Sequence, residues 1–456
     1  MSADQGGATG GEPRSGLQQF VGRLVSVQPY ELRALLASFA TLFFVFASYT
    51  MLRPIRETMG INSGVEDLPA LFWGTFIAML LVQPIYGLLT SRVPRTTFLP
   101  WVYAFFISNI LLFWVWFNVQ EDHTWIARAY FVWVSVFTLF IVTVFWSLMA
   151  DVFTREQAGR MFGFIAAGAS TGGLLGPFLA GRLAVPMGTI NLLLLSSVLL
   201  SCALVSQRLV INWHRAYGTA VKRGEPEKAL GGSAWSSFKQ VVSSPYLLGI
   251  ALFVLLLTWV STFVYLEQQA RIAERFSSRD ERTQFFANID FWVQASSLIL
   301  QALLFSRLYK MLGFKSLIII VPTLMMFGYA AYAIAPTFTV VVAVMIVRRV
   351  GEYGIMRPCR DTLYTVVSRE EKYKAKSLID TFIYRGGDAT SGSVHQFFTS
   401  VLGFTSAGIG WVGAVISLLW AIVAYSLGKA HENAKDTRAA AATAAASGEV
   451  ASAPRA

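Results

Sequence analysis

The chain has 456 residues, of which 55% are hydrophobic and only 14% are charged, and its formal net charge is +11. A soluble globular protein carries about 25% charged residues, so this composition excludes a soluble protein and indicates an integral membrane protein. The apolar residues form long blocks rather than alternating with polar ones, which excludes a β-barrel and predicts membrane-spanning helices. The excess of positive charge is typical of basic loops beside a membrane, so we expect no nucleic-acid partner.

The N-terminal segment is polar before the first apolar block. Residues 1–15 are rich in glycine and predict disorder, whereas residues 17–27 carry apolar side chains at helical spacing and predict a short helix on the membrane surface. No basic start leads directly into an apolar core, so we expect no secretory signal peptide. Residues 1–28 are therefore predicted to form a disordered N-terminus with a surface helix.

Twelve apolar segments of spanning length follow, six on either side of a long polar connection. The prediction is an all-α integral membrane protein: an N-terminal six-helix bundle at 29–211, a cytoplasmic linker at 212–244 and a C-terminal six-helix bundle at 245–430. The Ala-rich segment 431–456 predicts a disordered tail. The spans are predicted at 31–58, 69–90, 97–118, 124–152, 158–184, 188–210, 245–272, 283–306, 314–335, 337–367, 372–401 and 405–428.

Lysine and arginine residues accumulate in alternate loops. They follow the second, fourth, eighth and tenth spans and occupy the linker, whereas the other loops are acidic or uncharged apart from a mixed loop after the seventh span. Positively charged loops stay in the cytoplasm, so both termini are predicted to be cytoplasmic.

Short motifs recur between the two halves of the chain. Residues 154–157 (Thr-Arg-Glu-Gln) match residues 368–371 (Ser-Arg-Glu-Glu), and the glycine pair 172–173 matches the pair 386–387, both at a spacing of 214 residues. Parallel repeats of six helices describe the two halves of the major facilitator superfamily, whose fold is therefore predicted.

Two further motifs resemble those of this superfamily. The loop 87–95 is similar to its basic loop motif, although Ser91 replaces the usual acidic residue, and an ordinary basic loop is the alternative. The segment 172–181 is similar to its glycine-proline motif, with Ala180 in place of a glycine. Glycines recur here every four residues and predict close packing against another helix; they are Gly168, Gly172 and Gly176.

The tenth predicted span carries charges at membrane depth. A charge near the bilayer centre costs about 2.5–3.5 kcal/mol, so such side chains face a bundle interior or a watery cavity. Spacing of four residues predicts two ion pairs, Arg348 with Glu352 and Arg357 with Asp361, and leaves other arginines without a local partner. Pro358 predicts a kink. Ion pairs that only hold helices together are the alternative.

The first span contains the related segment Arg53-Pro-Ile-Arg56-Glu57, in which Arg53 and Glu57 are predicted to pair. The pattern Arg-Pro-x-Arg-acidic recurs at residues 357–361. Together with residues 145–157, it resembles the bacterial branch of the ATP/ADP translocase (nucleotide transporter) family, most strongly through the first five spans. This resemblance implies the facilitator fold and nucleotide exchange. We accordingly expect a multi-pass protein of the bacterial inner (cytoplasmic) membrane.

Segments 53–57 of the first span and 348–361 of the tenth contain six arginines and three carboxylates, an excess that attracts anions. Arginine suits phosphate because its planar fork binds two oxygens at once. The candidate substrate-binding residues are Arg53, Arg56, Arg349, Arg357, Arg360, Arg385, Tyr49, Trp146 and Tyr353. The candidates for gating or charge pairing are Glu57, Asp151, Glu352, Asp361, Asp380 and Asp388. Among the other titratable groups, Glu267 and Asp290 are placed near span ends, and His395 is predicted to be a packed polar residue.

The predicted function is alternating-access transport of an anionic, phosphate-bearing solute, with nucleotide exchange as the leading form. The alternatives are a proton-coupled organic-anion exporter and a membrane scaffold or sensor that lacks a solvated arginine pocket. Phosphate loops, zinc-ligand spacings and nucleophile motifs are not found, so we expect no enzyme activity, no cofactor and no metal site. The expected partners are a small anionic solute and the lipid bilayer, with the protein acting as a monomer.

Overall fold

A computed structural model describes residues 27–92, 95–217 and 234–446 of the chain, without the side chains of 85–97, 234–237, 369–370, 373–374, 377 and 439–446. All regular secondary structure in these ranges is helical. The predicted disorder at 1–15, nearly all of the predicted surface helix at 17–27 and the side chains of the loop motif at 87–95 lie outside this description.

Six long helices make up the first half of the described chain. Short 3₁₀ turns at Val65–Asp67 and Thr189–Asn191 precede the second and sixth of them. The helices are α1 (Leu32–Asn62), α2 (Leu68–Arg92), α3 (Arg95–Val119), α4 (Thr124–Val152), α5 (Arg155–Met187) and α6 (Leu192–Tyr217).

The second half is more interrupted. Four π-helical segments, at Leu300–Leu304, Glu352–Met356, Ile379–Ile383 and Phe397–Val401, and a 3₁₀ turn at Tyr364–Val366 lie between or after its α-helices. The α-helices are α7 (Ala234–Ser243), α8 (Pro245–Arg275), α9 (Arg279–Ile299), α10 (Phe305–Ile334), α11 (Phe338–Gly351), α12 (Arg357–Leu363), α13 (Arg369–Leu378), α14 (Tyr384–Gln396) and α15 (Ser406–Ala446).

Within the described ranges, nine helical segments are long and apolar enough to cross a membrane. One of them, Arg279–Ile334, contains both the eighth and the ninth predicted spans, and Gly313 breaks its helical geometry with a φ of 74°. The tenth and eleventh predicted spans are also helical, but charged residues and π-helical segments interrupt them. The protein is thus an all-α integral membrane protein, as predicted.

Two separate hydrophobic cores underlie the fold. The first is built from residues between 34 and 213, with Ala287 of α9 added, and the second from residues between 241 and 427. Each core buries large aromatic side chains, Tyr130 in the first and Trp420 in the second among them. Two helix bundles, each with its own large core, therefore meet across an interface that contains smaller shared apolar clusters and that charged side chains are able to line.

Both polar segments of the predicted organisation contain helix. The predicted linker at 212–244 includes the end of α6 and the whole of α7, while residues 218–233 lie outside the described ranges. The predicted disorder of the tail at 431–456 is corrected for its first part, because α15 continues to Ala446. Alanine is the strongest helix former, which explains why an Ala-rich sequence extends the last helix.

The glycines of α5 form a smooth face against α1, as their spacing predicts. A Cβ atom on Gly168 would lie 2.6 Å from the carbonyl oxygen of Phe39, and one on Gly172 would lie 2.1 Å from the carbonyl oxygen of Phe43. Real side chains do not tolerate such distances from backbone. Small residues let the two backbones approach closely, which is how helices gain packing energy in lipid.

We expect Gly172→Ala to destabilise the folded protein by roughly 1–3 kcal/mol or more, because α1 and α5 must separate to admit the methyl group. The effect is measured by heating the purified protein to a series of temperatures and determining, by size-exclusion chromatography, how much monodisperse protein remains. Gly159→Ala is the matched control, since no heavy atom lies within 4 Å of its added Cβ. Alanine is a better helix former than glycine, so the control keeps or raises stability. Equal behaviour of the two variants would contradict this account of the α1–α5 contact.

Candidate functional site

Charged side chains gather where α1 of the first bundle faces α8, α9 and α11–α14 of the second. Seven arginines and five carboxylates belong to this cluster, so the cations exceed the anions by two. The arginines are Arg53, Arg56, Arg348, Arg349, Arg357, Arg360 and Arg385. The carboxylates are Glu57, Asp290, Glu352, Asp380 and Asp388.

Irregular helix geometry positions much of this cluster. The π-helical segment Glu352–Met356 lies directly before Arg357 and Pro358, and the segment Ile379–Ile383 lies directly before Tyr384 and Arg385. A π-helical segment inserts an extra residue into a turn and so rotates the side chains that follow it. Proline also removes one helical hydrogen bond, which accounts for an interruption close to Pro358.

Asp290 is the charged group shared between the bundles. Its Oδ1 accepts a hydrogen bond from Arg349 of α11, and its Oδ2 lies 3.8 Å from Nε of Arg53 of α1. Asp290 and Arg349 are buried, with 4% and 7% of their surfaces exposed. Nη1 of Arg53 also donates to the hydroxyl of Tyr353 at 3.1 Å. The prediction that Asp290 lies near a span end is wrong, because it sits inside α9 at the interface.

The predicted pair of Arg53 with Glu57 is replaced by a pair of Arg56 with Glu57. Nη1 of Arg56 donates to Oε1 of Glu57 at 2.8 Å. The other carboxylate oxygen accepts from the hydroxyl of Tyr265 at 2.6 Å and from Nε2 of Gln269 at 3.0 Å, both on α8. A buried carboxylate requires several partners. The two α8 side chains supply these hydrogen bonds to Glu57, so its carboxylate faces the second bundle and not Arg53.

The guanidinium of Arg56 is held within the first bundle. Its carbon lies 3.7 Å from the centre of the Phe131 ring, and Nε donates to the Ser135 hydroxyl at 3.2 Å. A cation over an aromatic face is stabilised by about 0.5–2 kcal/mol. This contact orients the pair of Arg56 with Glu57 towards the interface.

The predicted pair of Arg348 with Glu352 is confirmed. Nη1 of Arg348 donates to Oε2 of Glu352 at 2.6 Å and to the Ser261 hydroxyl of α8 at 2.9 Å. The hydroxyl of Tyr384 donates to Oε1 of Glu352 at 3.4 Å. These bonds join α8, α14 and the interrupted tenth span inside the second bundle.

Arg357 is the most accessible cation of the cluster. The predicted pair with Asp361 is not formed, because the Asp361 carboxylate accepts instead from Nζ of Lys376 at 2.7 Å, on the exposed side of the helix. The Arg357 side chain is exposed, its guanidinium carbon lies 4.6 Å from the centre of the Tyr353 ring, and no described carboxylate oxygen lies within 4.0 Å of its nitrogens. Its hydrogen-bond donors are therefore available to a ligand.

Two further arginines are only loosely paired. Arg360 lies 3.8 Å from Asp380, and Arg385 lies 3.8 Å from Asp388. These separations exceed hydrogen-bond length, so the charges attract each other without saturating the guanidinium donors. The Thr262 hydroxyl of α8 donates to Asp388 at 3.4 Å and fixes that carboxylate.

The other sequence-predicted residues are more dispersed. Tyr49 lies one helical turn before Arg53 on the same face of α1 and packs edge-on against Phe46. Trp146 packs edge-on against Phe162 within the first bundle, and Asp151 is exposed at the end of α4. The structure therefore brings Tyr49 and Tyr353 to the arginines, and it places Trp146, Asp151 and Asp361 in other surroundings.

Sequence reasoning missed the side chains that complete the cluster from α8 and α9. They are Ser261, Thr262, Tyr265 and Gln269, together with Asp290 as a shared counter-ion. The three hydroxyl groups and the amide give no local sequence signal in a helix rich in such residues. Asp290 offered one signal, since it is an acidic residue within a predicted span.

The described chain matches one family model over most of its length. The model of the Major Facilitator Superfamily matches residues 34–387, which include nearly all of the first bundle, most of the second bundle and all seven arginines of the cluster. The chain belongs to the Major Facilitator Superfamily. Members of this superfamily are built from two parallel six-helix halves, in agreement with the two hydrophobic cores.

Curated relatives from Chlamydia are similar over most of this facilitator chain. The ADP,ATP carrier protein 1 of Chlamydia muridarum is 21% identical, and the match covers 93% of this chain and 94% of the relative. The ADP,ATP carrier protein 2 of Chlamydia pneumoniae is 22% identical over 86% of this chain and 88% of the relative. The resemblance to the ATP/ADP translocases is thereby confirmed.

Solved structures agree on the facilitator fold. The crystal structure of a bacterial homologue of the iron transporter ferroportin, in an inward-facing state, superposes with a TM-score of 0.61. The superposition covers 86% of this chain and 98% of the homologue at 15% sequence identity. The protein is therefore a multi-pass membrane transporter for a small solute and not an enzyme.

Proposed function

We propose that this facilitator exchanges anionic, phosphate-bearing solutes, and specifically nucleotides, by alternating access. The observation that carries the proposal is the cationic cluster between the bundles, in which the exposed guanidinium of Arg357 has no described carboxylate partner. An excess of arginine in a cavity attracts anions and repels cations.

Phosphate is the anion that this arrangement suits. Arginine presents a planar fork that binds two phosphate oxygens together, and charge-assisted hydrogen bonds of this kind are about twice as strong as neutral ones. Arg357, Arg360 and Arg385 supply three such forks from α12 and α14, with donors that their loose ion pairs leave available.

Nucleotide specificity is supported by aromatic rings beside the guanidinium groups and by the relatives. The Tyr353 ring lies under Arg357, and the Tyr384 ring lies 5.7 Å from the guanidinium carbon of Arg385. Stacking of a nucleotide base on such a ring contributes about 1–3 kcal/mol to binding. The relatives that match most of the chain are named ADP,ATP carriers.

The ion pairs that cross between the bundles support alternating access. Arg53 lies close to Asp290, and Glu57 accepts hydrogen bonds from α8. A bound phosphate competes with Asp290 for Arg53, which loosens one tie between the bundles and lets them rock about the site. Asp290, Glu57 and Asp388 thus act as internal counter-ions that hold the arginines between transport events.

We further propose that the chain acts as a monomer in the bacterial inner membrane, with both termini in the cytoplasm. Basic residues in alternate loops support this orientation. The end of the molecule where α1 finishes and α9 begins is then periplasmic. There the bundles are joined by hydrogen bonds of Thr58 with Thr283 at 2.8 Å and of Arg282 with Asn62 at 3.0 Å.

Uptake into proteoliposomes tests the proposal. Vesicles loaded with unlabelled ADP are given labelled ATP, ADP or inorganic phosphate, and empty vesicles serve as the control. We expect uptake of the labelled nucleotides that depends on the internal counter-solute. Uptake of an organic anion driven by a proton gradient, with no response to nucleotides, would replace this proposal by the exporter alternative. If none of the three labelled solutes is taken up, exchange of phosphate compounds is contradicted.

A further inference from the structure

A second polar site lies in the outer part of the second bundle, away from the arginines. Nε2 of His395, on α14, is 3.0 Å from Oε1 of Glu267, on α8. The other oxygen of Glu267 accepts from the hydroxyl of Tyr332, on α10, at 2.6 Å. Glu267 is 5% exposed, so a carboxylate is held inside the bundle by a titratable side chain.

A small cavity connects this pair to the surface. Its volume is about 180 Å³, and His395 and Glu267 both line it, together with Val65, Glu66 and Pro69 from the first half of the chain. The charged groups that line it are Glu66, Glu267, Arg271 and Glu274. Arg271 donates to Glu274 at 2.9 Å and to the Ser406 hydroxyl of α15 at 3.1 Å. Water and protons therefore have a route to the pair.

Charged side chains surround His395 in this cavity. Three carboxylates and one arginine line the cavity, so their formal charges sum to 1 − 3 = −2, and a proton on the imidazole offsets one of these two negative charges. An ionised carboxylate only accepts hydrogen bonds, which assigns the first ring proton to Nε2 and leaves Nδ1 to receive the second. The phenol of Tyr332 stays a neutral donor to Glu267. Histidine is the side chain whose charge changes near neutral pH.

We propose that His395 and Glu267 form a proton-binding site that couples proton movement to nucleotide exchange. One proton passes from water in the cavity to Nδ1 of His395, and the same proton is released to water on the other side in a later step of the cycle. The inference rests on the proposed function. Nothing in the anion site requires either residue.

The route from this site to the arginines is short. Asp388 and His395 are seven residues apart on α14, which is two helical turns or about 10 Å. Both bond to α8, Asp388 through Thr262 and His395 through Glu267. Asp388 in turn lies 3.8 Å from Arg385. A change in the charge of His395 therefore alters the α8–α14 contact that also holds a counter-ion of the anion site.

A pH gradient across proteoliposomes tests the proposal. Vesicles preloaded with ADP are given labelled ATP at equal pH and with the outside more acidic by one unit. If one proton enters with each ATP and none leaves with ADP, each cycle moves one net proton inwards, and the gradient raises the steady-state ratio of internal to external label by up to about tenfold, because one pH unit corresponds to about 1.36 kcal/mol. A potassium–proton ionophore abolishes the rise.

His395→Gln keeps a side-chain donor for Glu267 but cannot titrate. We expect this variant to exchange at the wild-type rate at equal pH and to lose the response to the gradient, and Glu267→Gln to lose the response as well. His214→Gln, on α6, is the matched control and keeps it. A gradient response in folded His395→Gln, or none in the wild type, would overturn the proton site while leaving exchange intact. Loss of exchange by the wild type at equal pH would instead overturn the proposed function, and the proton site with it.

Discussion

Replacement of Arg357 by glutamine is expected to weaken the apparent affinity for nucleotide by about 10- to 100-fold, with little change in stability. A hydrogen bond to a charged group contributes roughly 1.5–3 kcal/mol. The Arg357 guanidinium is exposed and has no described carboxylate partner, so its removal leaves no buried charge uncompensated. The concentration dependence of labelled ATP uptake into ADP-loaded proteoliposomes measures the effect.

Two further variants separate charge from geometry. Arg357→Lys keeps the charge but loses the planar fork, so we expect an intermediate affinity. Arg208→Gln removes an exposed arginine of α6, away from the cluster, and should transport normally. If Arg357→Gln and Arg208→Gln have the same affinity as the wild type, Arg357 does not bind the solute.

Asp290→Ala is expected to destabilise the protein by about 3–5 kcal/mol. The change leaves Arg349 buried without its counter-ion, and breaking a buried pair by removing one partner has a cost of that size. Thermal unfolding in detergent and the yield of monodisperse protein report the loss. Asp361→Ala is the matched control. It removes the carboxylate of an exposed ion pair with Lys376, and such a pair contributes at most about 1 kcal/mol to stability.

The double variant Asp290→Leu with Arg349→Met is expected to recover most of the lost stability. Replacing a buried ion pair by apolar residues of similar volume is often neutral or stabilising. The same double variant should remain defective in transport, since Arg53 then has no Asp290 to exchange for phosphate. A double variant as unstable as Asp290→Ala would show that the pair does not account for the cost.

Local sequence patterns were sufficient for much of the fold. Hydropathy located most of the long apolar helices, because a lipid-exposed helix must be apolar along its whole length. The spacing of the glycines in α5 predicted a close contact with another helix, which is α1, because the two backbones approach so closely that a side chain at these positions would clash. The pair of Arg348 with Glu352 followed from helical spacing alone.

Contacts between distant segments were beyond the same reasoning. Glu57 has potential partners at local spacing, yet its carboxylate bonds to Tyr265 and Gln269, more than 200 residues away. Arg357 and Asp361 have the spacing of a pair, but a π-helical segment precedes them and Lys376 lies nearer to the aspartate. Helical spacing assumes a regular helix and no competitor, and both assumptions fail at this site.

Photolabelling with an azido-ATP analogue tests the central claim most directly, because it reports where the nucleotide binds. The labelled protein is digested and the modified peptides are identified by mass spectrometry, with and without an excess of unlabelled ATP. We predict labelling that ATP suppresses, on peptides containing Tyr353 or Tyr384, beside the guanidinium groups of Arg357 and Arg385. Labelling that ATP does not suppress, or that falls on peptides remote from this cluster, would contradict nucleotide binding between the two bundles.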